Sequence, residues 1–274
     1  MSRPHALITG GSSGIGQATA IRFAGQGFNV TIVARDPIKL AAAKTAIEQS
    51  HPQVQVLSLT ADVAQRSEIE AAVQQSIEQF GAPTVLVTCA GIAHPGYFRA
   101  LPIEVFEQTM AVNYFGSLYC IRAALPAMEA QRQGHIVLVS SGAGLIGIYG
   151  YTPYSPSKFA LRGLAEALRG ELKVWGIGVS VIYPPDTDTP QLAAENLTKP
   201  PETKQITATA QTWTADAVAQ QIVQGVARKA FVIAPGSEMV VLARLHSLIA
   251  PILNWYFDRL VQQTRRSQSA DRNL

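Results

Sequence analysis

Cysteine is nearly absent: 274 residues hold two, Cys89 and Cys120, both in apolar surroundings. Neither has the spacing of a metal ligand, so no metal centre and no disulfide framework is expected; buried thiols in a reducing compartment are. Charge is scarce too. Asp, Glu, Lys and Arg make up 15% of the chain, and the net charge is +3. No Lys/Arg run with interleaved aromatics precedes the C-terminal tail, so nucleic acid is not an expected partner. A signal-peptide core is also missing. Residues 1–4 lead straight into an apolar strand, which predicts a cytoplasmic rather than a secreted protein. What remains is an apolar chain, 47% hydrophobic with a mean hydropathy of +0.13, long enough to bury one large α/β core.

Short apolar runs alternate with helical patterns. Strands are expected near 6–9, 30–34, 54–59, 85–88, 135–140, 179–183 and 231–234, with helices at 14–26, 38–49, 67–80, 104–130 and 156–175. Strands separated by crossover helices imply a doubly wound parallel sheet. No repeat or linker divides the chain, so residues 1–236 read as one catalytic unit and 237–274 as an appended apolar helix with a basic tail. Two regions break the rhythm. Residues 184–212, rich in Pro and Thr with little apolar periodicity, read as a long loop that could cover a site. Residues 239–257 hold fourteen apolar residues out of nineteen. Within them and just beyond, Arg244, Ser247, Pro251, Asn254 and Asp258 recur at steps of three and four, which lines them along one helical face. A membrane span would bury Arg244 at a cost of roughly 2.5–3.5 kcal/mol. An amphipathic helix lying on a cytoplasmic membrane surface keeps that stripe wet. Packing on the domain or on a sister subunit fits the pattern equally. Arg265, Arg266 and Arg272 in the tail favour an anionic surface.

After the first strand comes T-G-G-S-S-G-I-G at 9–16. Gly10 permits a tight turn, Ser12 and Ser13 offer hydroxyls, and Gly14 lets backbone approach a phosphate. Ile15 opens the following helix, and Gly16 allows it to pack closely on the strand. The helix N-terminus then faces a pyrophosphate, the arrangement of a Rossmann-like dinucleotide site. NAD enzymes tend to carry an acid at the end of the second strand. Here that strand ends in Arg35, and the adjacent Asp36-Pro37 reads as a helix N-cap with Pro at N1. Arg35 is then available to a ribose 2′-phosphate, with Lys39 one turn on, which predicts NADPH/NADP as the cofactor.

The reacting group is expected at Tyr154, with Lys158 four residues later on the same helical face. A free phenol has a pKa of about 10, and a neighbouring cation is expected to lower it. Tyr154 would then give its proton to a ketone oxygen as hydride reaches the carbon. Ser141, at the end of the fifth strand, would hydrogen-bond that oxygen, and Lys158 the nicotinamide ribose.

With these residues the chain resembles the short-chain dehydrogenase/reductase family over about residues 4–235. The resemblance places a catalytic tetrad on Asn113, Ser141, Tyr154 and Lys158, with Asn113 holding a water that links the lysine to solvent. It implies adenine contacts at Asp62 and Val63 and further cofactor contacts at Ala90 and Gly91. Thr187 and Thr189 are implied beside the nicotinamide carboxamide. Cys89 stands where that family has Asn, Thr88 where a second Asn is common, and Pro185 where it has Gly. The runs Y-P-P-D-T-D-T-P at 183–190 and S-K-F-A-L-R-G-L-A-E-A-L at 157–168 resemble the members that reduce 3-ketodihydrosphingosine (3-ketosphinganine) to sphinganine. A long-chain ketone lipid is thus the implied substrate, and Asp186 and Asp188 are candidates for attracting its ammonium. The resemblance also implies pairing into a homodimer or tetramer. Two other readings remain open: a reductase of another hydrophobic ketone, such as a steroid or 3-keto lipid, and an NADPH-sensing scaffold without turnover.

Overall fold

The computed structural model describes residues 3–208 and 211–271. Its central sheet takes seven parallel strands in the order β3-β2-β1-β4-β5-β6-β9. These are β1 (His5–Thr9), β2 (Asn29–Ala34), β3 (Val56–Thr60), β4 (Val85–Thr88), β5 (Gly134–Val139), β6 (Ile177–Ile182) and β9 (Val232–Ile233). The chain reverses its winding between β1 and β4, and ligands of such sheets bind outside the carboxyl ends of the strands at that switch.

Alternate side chains of each strand enter two cores, which is why the strands read as unbroken apolar runs. Leu7, Leu86, Ile136 and Leu138 meet α3 (Arg66–Phe80), α5 (Gly116–Gln131) and α6 (Tyr154–Leu172) through Ile69, Ile121 and Leu161. Ile8, Val87 and Val137 meet α1 (Gly14–Gly25), α2 (Pro37–Ser50) and α9 (Ala215–Ala227) through Phe23, Ile47 and Ile222. Asp36 caps α2, accepting from the Ile38 and Lys39 amides at 3.0 and 3.1 Å, as the Asp-Pro pair predicts.

Two expectations need correction. The helix expected over 104–130 is α4 (Ile103–Met110) and α5, joined through a π-helical turn, Ala111–Phe115, that carries Asn113. Residues 184–212 are not an irregular loop. They contain α7 (Pro190–Thr198), α8 (Pro201–Thr207) and a strand, β7 (Thr187–Asp188), that pairs with β8 (Trp213–Thr214); residues 209 and 210 lie outside the described residues. Thr189 caps α7 with Pro190 at its first position, the same signal as Asp36-Pro37. The C-terminal apolar region forms α10 (Gly236–Asp271), which keeps Arg244, Ser247, Pro251, Asn254 and Asp258 exposed, as their spacing predicts. One side lies on α6 and α8: Arg162 bonds the His246 ring at 3.0 Å, and Thr264 donates to Gln205 at 2.6 Å. The other shows Val241, Leu245, Leu248, Ile252 and Trp255 to solvent. Arg265, mostly exposed, lies 3.6 Å from Glu202 and donates to Tyr149 at 3.2 Å, and Arg272 lies outside the described residues.

Candidate active site

The turn after β1 builds a cradle of backbone amides. Gly10 and Gly14 sit at φ +69° and +54°, where side chains are strained. A Cβ on Gly16 would lie 2.2 Å from the Gly10 carbonyl oxygen, so only glycine lets α1 start this close to the strand. Ser13 is the N-cap of α1 yet makes no side-chain cap bond, leaving the first amides of the helix to a ligand. Ser12, Ser13 and Ile15 line the cleft of about 350 Å³ beyond, and Thr189 closes on Gly14 from α7. These donors fit a pyrophosphate.

Arg35 and Lys39 line the other end of the same cleft. Arg35 Nη1 lies 3.9 Å from Asp62, and Lys39 Nζ 3.8 Å from the capping Asp36. Both cations are more than half exposed, so these pairs are weak and can give way to a phosphate. Asp62 itself turns from the cleft, accepting from the Ala64 amide at 2.9 Å, while its neighbours Ala61 and Val63 form the wall.

Tyr154, Ser141 and Lys158 converge where the cleft meets β5. Ser141, and Gln191 from α7, line the cleft beside Tyr154 and act on its hydroxyl. Lys158 lies 5.5 Å from the Tyr154 ring centre and donates to the Val139 carbonyl at 2.9 Å. A Cβ on Gly91 would sit 3.4 Å from Lys158 Nζ, so glycine there leaves the ammonium its room. Ala90 lines the wall beside it. Asn113 is fully buried behind this wall. Its side chain accepts from the Ile92 amide at 2.8 Å and donates to the Ile92 carbonyl and Ser157 hydroxyl, at 3.0 and 2.9 Å. Asn113 therefore braces the site from behind rather than lining it. Thr187 is held by donation to Pro185 at 2.8 Å and faces the cleft.

One expectation about this group is reversed. Burial pushes the Tyr154 hydroxyl above its ordinary range, the charge of Glu195 adds to this, and the polar side chains of Ser141 and Gln191 only partly offset it. Lys158 in turn is brought down to about 8 by burial. The sequence shows that a cation is near but not how dry the site is. A phenol that keeps its proton at neutral pH is the form a proton donor needs. Pattern reasoning also missed Tyr151, Gln191 and Glu195, which line the carbonyl end of the cleft. Only the Q-x-x-x-E spacing after Thr189-Pro190 hinted at a helix presenting two polar side chains together.

Residues 4–200 match the short chain dehydrogenase family. The chain belongs to it. Among curated relatives, this short-chain dehydrogenase is 45% identical over 252 residues to a 3-ketodihydrosphingosine reductase of Bos taurus, covering 90% of this chain and 76% of that one. It is 44% identical to a 3-dehydrosphinganine reductase of Danio rerio at the same coverage. A 3-ketodihydrosphingosine reductase of Dictyostelium discoideum is 36% identical, with 94% of this chain and 82% of that one covered. Among solved structures, a short-chain dehydrogenase/reductase from Burkholderia phymatum in complex with NAD superposes with a TM-score of 0.80 at 23% identity, covering 92% and 95% of the two chains. Levodione reductase gives 0.77 at 24%, covering 85% and 96%. These two share the fold.

The protein is thus an oxidoreductase of ketones or alcohols with a nicotinamide cofactor. Its departures from the family pattern have local substitutes. The Cys89 and Ala90 amides both donate to Thr9 Oγ1 at 3.2 Å, so backbone holds that corner without an Asn side chain. Burial raises the Cys89 thiol to about 11, which leaves it uncharged and unreactive.

Proposed function

We propose that the protein reduces 3-ketodihydrosphingosine to sphinganine with NADPH. The observation that carries this reading is the 45% identity across 90% of the chain to reductases of that name, joined to the Ser141, Tyr154 and Lys158 convergence in the cleft. Bound NADPH would supply the hydride to the ketone carbon. Tyr154 gives its proton to the ketone oxygen, Ser141 orients that oxygen, and Lys158 holds positive charge next to the phenolate that results. Gly10 to Gly16 take the pyrophosphate, and Arg35 with Lys39 takes the 2′-phosphate that distinguishes NADPH from NADH. Asp62 serves the adenosine end indirectly, by positioning Arg35 and the Val63 wall.

Residues 1–236 are proposed as the catalytic unit and 237–274 as an appended helix and tail that attaches the enzyme to a membrane on its cytoplasmic side. The region Gly236–Arg266 is long and apolar enough to cross a bilayer. A surface position agrees better with its packing on α6 and α8 and with the exposed Arg244 stripe. A peripheral enzyme of this kind can collect a lipid ketone from the bilayer. Pairing into a homodimer or tetramer is part of the same proposal. Purified protein given NADPH and 3-ketodihydrosphingosine in detergent or vesicles is expected to consume the cofactor and form sphinganine. Faster turnover of a steroid or an amine-free 3-keto lipid would replace this substrate with another hydrophobic ketone.

A further inference from the structure

The carbonyl end of the cleft holds a buried acid that the chemistry of hydride and proton transfer does not use. Glu195, on α7, is 7% exposed and lines the cleft. Its carboxylate accepts from the Tyr151 hydroxyl at 2.6 Å and from the Gln191 amide at 2.8 Å. The Tyr151 ring that bonds this carboxylate packs 5.6 Å from the Tyr154 ring, so the carboxylate stands one side chain from the reacting residue. The other acids nearby are accounted for. Asp186 has Lys199 at 3.8 Å, Glu202 has Arg265 at 3.6 Å, and Asp188 is exposed on β7. No salt bridge joins Glu195 to a cation among the described residues.

Glu195 is buried beside the reacting group with two hydrogen bonds and no salt-bridge partner among the described residues. A carboxylate accepts about four hydrogen bonds, and the two donors present leave room for more. The Gln191 NH2 group already shows where a nitrogen donor fits. We propose that Glu195, oriented by Tyr151, binds the ammonium of an α-amino ketone and so makes the enzyme specific for amine-bearing substrates. This rests on the proposed reaction, in whose substrate the amine is carried on the carbon next to the ketone. Ser141, Tyr154, Gln191 and Glu195 line the same cleft, and an amine on the carbon next to the ketone lies within a few ångströms of the ketone oxygen. The assignment moves the role expected for Asp186 and Asp188 to an acid that is buried and has no salt-bridge partner among the described residues.

The test uses two ketones of equal chain length, 3-ketodihydrosphingosine and its analogue without the 2-amino group, on wild type and Glu195→Gln. The glutamine keeps side-chain volume and an acceptor for Tyr151 but removes the charge. Expected is a fall of about tenfold to a hundredfold in the ratio of kcat/KM for the amine-bearing ketone to that for the amine-free one, since the lost charge acts on Tyr154 alike for both. An equal fall on both, or none on the first, overturns the assignment. Tyr151→Phe, which frees the carboxylate but leaves its charge, is expected to lower the same ratio by less; an unchanged ratio overturns the orienting role. Binding of sphinganine to the NADP-loaded protein, followed by calorimetry, requires no turnover. It should weaken tenfold or more in Glu195→Gln, and equal affinity overturns the proposal. Wild-type protein that binds sphinganine through Glu195 yet reduces neither ketone would sink the proposed reaction and leave the ammonium site standing.

Discussion

Lys158 Nζ lies 5.5 Å from the centre of the Tyr154 ring and spends a hydrogen bond on the Val139 carbonyl at 2.9 Å. The two residues share a dry pocket, and burial moves both towards their uncharged forms: the phenol upward, the lysine down to about 8. Near neutral pH the pair is therefore a protonated phenol beside a cation. Lys158 is charged below pH about 8 and neutral above it, and the neutral form cannot hold the phenolate left by proton transfer. The kcat/KM for ketone reduction, which reports the free enzyme, is expected to fall as pH rises through about 8. A flat profile across that range would assign the charge elsewhere. Lys158→Arg, which stays cationic, should lose this limb whatever its residual rate.

Tyr154→Phe removes the donated proton and little else, since the ring still packs at 5.6 Å on Tyr151. Turnover is expected to fall by about 10²–10⁴ while nucleotide binding is unchanged. Stopped-flow turnover and NADPH fluorescence titration separate the two. A variant of normal rate would remove Tyr154 from the chemistry.

Arg35 is more than half exposed and only loosely paired with Asp62, so its substitution should not unfold the protein. Arg35→Ala is expected to weaken NADPH about tenfold to a hundredfold and NADH hardly at all. Equal losses for the two nucleotides would refute contact with the 2′-phosphate.

Much of this was legible beforehand, for identifiable reasons. Gly10, Gly14 and Gly16 are forced by backbone geometry, and Asp36-Pro37 is a local cap, so neighbours in sequence are enough to read them. The Tyr154–Lys158 pair follows from helical spacing joined to Ser141 at a strand end and to the turn at 9–16. Glu195 and Tyr151 do not, because they meet across 44 residues through the packing of α7 on the cleft, which no short pattern encodes. The direction of the Tyr154 shift escaped for a related reason: neighbours can be read along a helix, but burial cannot. Periodicity likewise found the wet stripe of α10 but could not say which of its apolar positions would pack on α6 and α8.

Two buried histidines set an acid limit on the fold. His5 bonds the Gly81 carbonyl and Thr31 at 2.9 and 3.0 Å, and His135 meets Ser180 at 2.7 Å. Burial lowers each from 6.5 to about 4. The native state therefore keeps both neutral, while the unfolded chain takes up protons below pH about 6.5. Their contribution is complete above that pH and is lost as pH falls from about 6.5 to about 4, on the order of 2 kcal/mol for each. Urea midpoints measured at neutral pH and near pH 4.5 should differ accordingly. His5→Gln should flatten the dependence, and an unaltered slope would exclude His5 as its source.

The exposed stripe on α10 gives the last expectation. Leu248 and Ile252 are 74% and 66% exposed, one turn apart, and flanked by Leu245 and Trp255. Each aliphatic side chain taken into an apolar phase is worth about 1.5–3 kcal/mol, so the pair alone accounts for most of a useful membrane affinity. Neither side chain touches the cleft, so changing them should leave the chemistry intact. Leu248→Glu with Ile252→Glu is expected to abolish sedimentation with anionic vesicles and to raise the KM for vesicle-borne ketone. kcat on detergent-dispersed substrate should stay as in wild type. If the double variant still binds vesicles but changes its elution volume on gel filtration, the stripe belongs to a subunit contact, and the enzyme reaches its lipid by another surface.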